Sequence, residues 1–382
     1  MRLLSSVFVV VLIAAAGVFF LVVPARVDAE MNKIAPHAPY AVSDEAAALH
    51  RTLRVADLHN DALLWDRDFL RRNARGHTDA PRLAEGRFRL QVLSSVTKTP
   101  RNLNYAANDS NSDNITPLVI AQRWPVRTWG SLAERALHHA ALADSAAKRS
   151  KGGLAVVRSK AELAAAQDSG AIAIVLATEG AHSLEGDIAN LDRLYDAGFR
   201  MLGLQHFFDN ELGGSLHGLS NGGLTEFGRA AVVAAEDKGM IIDVAHSSVA
   251  TVRDVLAITR GPLVVSHTGM RGHCENDRNF SDDLMREIAG RDGLVGIGFW
   301  DGAVCEASVS SIAAAIVYAI RALGADHVAL GSDYDGATTV PFGADEIAAL
   351  TDALLKAGVS EADVRAVMGE NAIRFFGANL PD

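Results

Sequence analysis

The segment Ile241-Ile242-Asp243-Val244-Ala245-His246-Ser247-Ser248, followed by Val249–Ile258 and then by Leu263-Val264-Val265-Ser266-His267-Thr268, decides how the chain folds. A short apolar, β-branched run gives way to a stretch of helical period and then to a second such run. That order predicts a buried strand, a helix and a second strand parallel to the first. The pattern continues in both directions. Eight runs read as strands: Leu53–Leu58, Arg89–Ser95, Ile172–Ala177, Met201–His206, Ile241–Ala245, Leu263–Ser266, Leu294–Phe299 and Val328–Gly331. Between most of them lie helical stretches, namely Ile188–Ala197, Thr225–Lys238, Val249–Ile258, Asp282–Arg291 and Ser308–Leu323. Two further helices, Asp345–Lys356 and Glu361–Phe376, close the chain. Eight such units predict a closed α/β barrel of the (β/α)8 type, rather than an open sheet.

In a parallel barrel the chemistry gathers at the C-terminal ends of the strands, so the polar residues at the end of each apolar run are informative. The first ends in Asp57-Leu58-His59-Asn60-Asp61, the third in Thr178-Glu179-Gly180 and the fourth in Gln205-His206. The fifth ends in Ala245-His246-Ser247, the sixth in Ser266-His267-Thr268 and the eighth in Gly331-Ser332-Asp333-Tyr334-Asp335. Taken singly, His59-x-Asp61 reads as a turn or cap, and His246 or His267 reads as a satisfied core histidine. Together they read differently. Consecutive barrel strands lie about 4.8 Å apart, so His246 and His267 present two imidazoles side by side. Neutral imidazoles suit a divalent transition metal such as zinc. Glu179 ends a wholly apolar strand, where an unpartnered carboxylate would cost several kcal/mol (about 2 or more) or become protonated. A metal pair supplies the partner, because a carboxylate can bridge two ions. The predicted arrangement sets His59 and Asp61 on one Zn2+, His246 and His267 on a second, and Glu179 across both. Two ions roughly 3.5 Å apart can share a water, make it hydroxide at neutral pH and polarise a carbonyl. Asp333 is placed to take the water's proton and pass it to a leaving nitrogen. Asp335 is the second candidate, though Asp335-Gly336 also reads as a turn.

The first 29 residues stand apart. Arg2 precedes an uncharged apolar stretch, Leu3–Val23, which Pro24, Arg26 and the small-residue run Val27-Asp28-Ala29 follow. This is the pattern of an export signal, yet the apolar run is long enough to span a bilayer. A cleaved signal peptide, an uncleaved anchor holding the protein to the membrane through residues 3–23, and a buried core helix are the three readings. The first two put the remaining chain, residues 30–382, outside the cytoplasm, in a periplasmic or other extracytoplasmic space, as one domain. In such a compartment Cys274 and Cys305 read as a disulfide, the alternative being two buried thiols. With only two Cys among 382 residues, a disulfide-dense scaffold and a Cys-rich zinc finger are excluded. A net charge of −10 with no Lys/Arg block speaks against nucleic-acid binding. The polar stretch from Thr97 to Ser131, with Asn102, Asn104, Asn108, Asn111 and Asn114, comes after the second strand and reads either as a lid over the catalytic face or as a disordered surface insertion.

Several ordered motifs resemble the membrane (renal-type) dipeptidases, binuclear zinc peptidases of the metallo-dependent hydrolase superfamily. They are Asp57-Leu58-His59-Asn60-Asp61, Gly76-His77-Thr78-Asp79, Glu179-Gly180-Ala181-His182-Ser183-Leu184, Leu204-Gln205-His206, Ile242 to Ser248, Ser266-His267, Arg278 to Asp283 and Gly331 to Gly336. The resemblance spans nearly all of residues 45–377. It implies the metal ligands His59, Asp61, Glu179, His246 and His267, with Glu179 bridging two Zn2+ per chain. It further implies Asp333 as the catalytic acid–base, His206 as a substrate-binding residue facing the tetrahedral intermediate, and Arg278 as the grip on the substrate's terminal carboxylate. Arg suits that last role because it can bind a carboxylate with two parallel hydrogen bonds. The implied activity is a zinc-dependent dipeptidase, a C-terminal D-residue included. An amidase acting on N-acyl amino acids or lactams could use the same site, and a non-catalytic barrel protein is a third reading. The sequence leaves a homodimer open. Phe207-Phe208 departs from the more polar pattern of animal members, and the Asn-rich stretch after the second strand matches the family poorly.

Overall fold

The computed structural model describes residues 2–382, with side chains from Ser6 onward, so the side chain of Arg2 lies outside the described residues. Eight parallel strands form the centre: β1 (Val55–Asp57), β2 (Phe88–Val96), β3 (Ile172–Glu179), β4 (Phe199–Gly203), β5 (Ile241–Asp243), β6 (Val264–Thr268), β7 (Leu294–Ile297) and β8 (Val328–Leu330). Each pairs with its neighbours in the chain, β8 pairs with β1, and β2 pairs with β3, which completes the ring. All eight expected strands are present in a (β/α)8 barrel. The long β2–β3 seam runs from Leu90 opposite Ala173 to Val96 opposite Glu179. Alternation along the strands sorts the core into two clusters. Leu90, Val92, Ala173, Val175 and Met201 pack in one, and Leu93, Ile174, Leu176, Phe199 and Leu202 pack with the helices in the other.

Four differences from the expected elements bear on the site. First, β4 stops at Gly203, so Gln205 and His206 belong to the loop beyond it. Second, a three-residue strand, Leu154–Val156, pairs with the start of β3 and two helices, Leu132–Arg149 and Lys160–Ser169, flank it. The long helix buries Ala133, Ala136, Ala140, Ala143 and Ala146, a stripe with little hydrophobic contrast to read. Third, the stretch Thr97–Ser131 is folded rather than loose. It contains the helix Ile115–Ala121, entered through Asp113, whose carboxylate accepts from the Ile115 N–H at 2.8 Å and the Thr116 hydroxyl at 2.6 Å. The buried guanidinium of Arg135 donates to Asp113, to the Thr97 and Thr128 carbonyls and to Thr116, pinning the stretch at both ends. Fourth, the expected helix Glu361–Phe376 is interrupted by a wide turn, Ala366–Glu370, where Gly369 lets the backbone approach Arg54 so closely that a Cβ would sit 1.8 Å from its carbonyl oxygen.

At the N-terminus, α1 (Arg2–Leu21) and α2 (Val23–Met31) are joined by the bond from Arg26 N–H to the Val22 carbonyl. The helical stretch Ser6–Met31 is long and apolar enough to cross a membrane. Val7 to Ile13 are exposed, Phe8 by 63%, which excludes the buried core helix. The chain then pairs Lys33–Ile34 in parallel with Thr339–Val340. Cys274 and Cys305 form a disulfide, with Cα atoms 5.5 Å apart.

Candidate active site

Six of the eight strand ends deliver a polar side chain to one buried cluster. His59 and Asp61 follow β1, Glu179 is the last residue of β3, His206 follows β4, His246 follows β5, His267 lies in β6 and Asp333 follows β8. Glu179 is central. Its Oε1 lies 3.2 Å from His246 Nε2, 3.3 Å from His267 Nε2 and 3.5 Å from His206 Nε2, and its Oε2 lies 3.4 Å from His59 Nε2. His59 Nε2 is also 3.6 Å from Asp61 and 3.9 Å from Asp333. The Nε2 atoms of His246 and His267 are 2.9 Å apart.

The backbone is bent to achieve this. His246 and Asp333 have φ of +61° and +59°, a region non-glycine residues rarely occupy. Such conformations cost about 1–3 kcal/mol and persist where the surroundings over-determine them. Gly336 is required beside them, because a Cβ there would sit 1.9 Å from Asp333 Oδ1 and 3.0 Å from Asp61 Oδ2.

A ring of hydrogen bonds outside the cluster orients it. Buried Asp57 accepts from the N–H and hydroxyl of Ser332, each at 2.7 Å, and from Gln91 at 2.8 Å. Burial pushes its carboxyl up to about 6 despite these donors. Asp243 accepts from the N–H groups of Ala245 and Ser266, both at 3.0 Å, tying the ends of β5 and β6 together. The Ser266 hydroxyl meets His267 Nδ1 at 2.9 Å, leaving Nε2 facing Glu179.

Burial and then the Arg278 charge hold His246 well below the usual histidine range, and burial and then His59 do the same for His267. Neutral imidazole is the form that ligates metal. Burial works to raise Glu179, but His206 and His59 overcome it and keep the carboxyl well below its usual range. Burial raises Asp333, with Asp61 and Glu179 adding to the rise against His59 and Arg278. The fit to metal rests on the donor atoms themselves. His59 Nε2, Asp61 Oδ1 and Glu179 Oε2 are buried without any hydrogen-bond partner. Three groups of ligand atoms, each within 4.8 Å, could hold an ion: His59, Asp61 and Glu179; Glu179, His206 and His246; and His59, His267 and Asp333. They share Glu179 or His59, so the three groups form one cluster of nitrogen and oxygen donors suited to a divalent ion.

Arg278 is 1% exposed. Its Nη2 donates to the His267 carbonyl at 2.7 Å and lies 3.2 Å from His246 Nε2, while its Nη1 has no partner. The nearby surface carboxylates are taken by other groups: Asp277 holds Arg271, and Asp282 accepts from the Tyr318 hydroxyl. Asp335 is equally committed. It accepts from the His77 N–H at 2.7 Å and the Thr78 hydroxyl at 2.6 Å and pairs with Arg67 at 2.9 Å. Burial alone would raise its carboxyl, but Arg67 and His77 hold it below the usual range. As a fixed anion it is poorly suited to carry a proton, which leaves Asp333 as the free carboxyl.

The cluster opens into a cavity of about 560 Å³. Its floor is Asp61, Glu179, His206, His246, His267, Arg278 and Asp333. Its walls are apolar, from Trp65, Leu103, Tyr105, Ile115, Leu118 and Trp300. The Thr97–Ser131 stretch therefore does cover the catalytic face. Phe207 lines the cavity, whereas Phe208 is buried in the core under Lys98. The residues that sequence reasoning missed are Asp57 and Arg67, whose partners Ser332 and Asp335 lie far away in the chain, and Asp243, whose acceptor role ties Ala245 to Ser266 on the next strand. A buried Asp two residues before His59 was the available signal for the first.

A family model described as membrane dipeptidase (peptidase family M19) matches residues 43–379. Among curated proteins, the dipeptidase aclJ of Aspergillus oryzae is 29% identical over 344 residues, covering 85% of this chain and 77% of that protein. Among solved structures, the probable dipeptidase PvdM from Pseudomonas aeruginosa aligns with a TM-score of 0.72 at 20% identity, covering 87% of this chain and 97% of that one. A metallo peptidase from Rhodobacter sphaeroides, liganded with a phosphinate mimic of the dipeptide L-Ala-D-Ala, aligns with a TM-score of 0.68 at 24% identity, covering 86% and 99%. These solved structures share the fold of the chain.

Proposed function

Because the chain belongs to the membrane dipeptidase family, peptidase family M19, and so to the metal-dependent peptide-bond hydrolases, we propose that it cleaves the single peptide bond of dipeptides with a free C-terminal carboxylate. The observation that carries this reading is the unpartnered Nη1 of a fully buried Arg278 on the floor of the cavity. A buried guanidinium with an idle donor is suited to an anion arriving with the substrate. Its Nη2, 3.2 Å from His246 Nε2, sets that anion site beside the cluster, which suits a substrate with one residue beyond the scissile bond.

In this scheme His59, Asp61, Glu179, His246 and His267 would hold the metal, and zinc would suit their mixed nitrogen and oxygen donors. When bound, such ions lower the pKa of water and polarise a carbonyl oxygen. The remaining work belongs to the chain. Asp333 takes the proton of the attacking water and returns it to the leaving amine nitrogen, so the bond breaks without expelling an amide anion. His206, on the loop after β4 with its Nε2 3.5 Å from Glu179, donates to the oxyanion as the carbonyl becomes tetrahedral. Arg278 holds the carboxylate and fixes which bond lies over Glu179. The Rhodobacter relative's L-Ala-D-Ala mimic supports acceptance of a C-terminal D-residue. The apolar N-terminal helix and the Cys274–Cys305 disulfide support an extracytoplasmic location.

The apolar walls favour one second reading, an amidase for N-acyl amino acids or lactams at the same floor. Assaying Ala-Ala, Ala-D-Ala and N-acetylalanine with zinc present separates the two. Hydrolysis of the dipeptides supports the first, and activity on N-acetylalanine alone overturns it.

A further inference from the structure

The N-terminal segment is built into the domain beyond what an export signal requires. Asp28 sits in the small-residue run where a signal would be cut, yet it is 0% exposed. Its Oδ2 is 2.6 Å from Arg75 Nε and 3.3 Å from Arg67 Nε, and its Oδ1 accepts from Asn32 Nδ2 at 2.9 Å. Arg67 continues to Asp335, on the loop that also carries Asp333. Asn32 Oδ1 accepts from the Ala337 N–H at 3.0 Å on that same loop, and the Lys33 carbonyl meets His77 Nε2 at 3.1 Å. The Ala35 N–H donates to the Val340 carbonyl at 2.8 Å. Residues 28–35 are thus stitched along the strand-eight loop by side-chain and backbone bonds. The same segment faces the cavity. Phe19, Val23, Val27 and Met31 line it on one side, and Val27 packs on the apolar cluster of Leu64, Trp65, Ile115 and Leu118. Cleavage after Ala29 would remove the Asp28 carboxylate from two guanidinium groups, one of them buried, and strip one wall from the cavity. Breaking a buried ion pair in this way is strongly unfavourable.

We infer that residues 19–35 are retained in the mature protein as a wall of the substrate cavity, and that α1 anchors the chain so that the cavity opens at the membrane surface. Phe19 belongs both to the cavity rim and to the apolar helix, so the mouth and the bilayer adjoin. The consequence for specificity rests on the dipeptidase reading: a substrate side chain directed away from Arg278 meets Val27 and Met31, which favours apolar residues.

The test uses the full chain carrying a C-terminal tag. Intact mass and membrane partition are read first, and neither depends on activity. The expected result is an uncleaved chain in the membrane fraction that resists alkaline carbonate. A soluble chain beginning at or near Glu30 overturns the inference. Hydrogen exchange then reads the stitching. The Ala35 and Ala337 amides should be protected in the wild type and should exchange at least about tenfold faster in Asp28→Ala. Rapid exchange at both in the wild type also overturns it. If dipeptides are cleaved, Val27→Asn should raise KM for Leu-Leu about tenfold relative to Gly-Gly with kcat held within about twofold. Val27→Ala should move the ratio in the same direction if the Asn variant fails to fold. An unchanged ratio in Val27→Ala removes the wall from specificity.

Discussion

Two carboxylates two residues apart, Asp333 and Asp335, have opposite fates because of what surrounds them. Asp335 is saturated by Arg67, Thr78 and the His77 amide, whereas the Asp333 carboxylate has His59 Nε2 at 3.9 Å. The difference in partners is what leads the proposed function to give the proton transfer to Asp333. Asp333→Asn keeps the shape and, if Asp333 is the proton carrier proposed here, removes it, so kcat should fall about 10²–10⁴-fold while bound metal, measured on the same sample, stays unchanged. Retention of full activity would remove Asp333 from the proton path. At this scale the sequence was most informative where a polar residue ends an apolar run, as His59, Glu179, His246 and His267 do. It was silent about Arg67 and Asp28, because an ion pair between residues 28, 67 and 335 has no local signature.

At the scale of elements, the loops after β6 and β7 are held as a unit. The Cys274–Cys305 disulfide joins them, and Asn279 Nδ2 bridges the Cys274 and Ala303 carbonyls at 2.9 and 3.0 Å, directly beside Arg278. The paired variant Cys274→Ser with Cys305→Ser should lose about 2–4 kcal/mol of unfolding free energy, measured by denaturant titration against the oxidised protein. It should also raise KM more than it lowers kcat, because the element it loosens carries Arg278, the proposed carboxylate grip. The Asn-rich stretch shows why residue type alone misleads. Asn104 accepts from the Ala106 and Ala107 amides and Asn108 donates to the Asn104 and His217 carbonyls, so the asparagines build turns in an ordered cover. Polarity left a lid and a disordered insertion both open, because the anchoring residue, Arg135, lies outside the stretch on the following helix. That helix carries a second buried polar contact, His139 Nδ1 with the Ser95 hydroxyl at 2.7 Å. Burial, with His138 and Arg135, pushes His139 down to about 3. The unfolded chain therefore binds a proton that the folded chain refuses below about pH 6.5, and this contribution to stability shrinks as pH falls from there toward 3. Denaturation midpoints measured between pH 7 and pH 4 should decline, and less steeply in His139→Gln. An equal slope in the variant would assign the decline to other groups.

Across the whole molecule, the barrel places six strand ends around one carboxylate, and the N-terminal segment closes the cavity above them. The eightfold alternation of apolar runs made this architecture readable, since only a closed parallel sheet brings β1, β3, β5, β6 and β8 to a common rim. The covering parts, α2 and the Thr97–Ser131 stretch, were harder to place because their contacts join regions hundreds of residues apart. The proposed function makes the cluster around Glu179 a two-metal hydrolytic centre for dipeptides. Titrating the metal-free full chain with zinc, while following hydrolysis of Ala-Ala, tests that directly. A two-metal centre predicts no turnover without metal and a rise that saturates at about two equivalents per chain. Undiminished turnover in the metal-free protein, or saturation with less than about one equivalent, would contradict it.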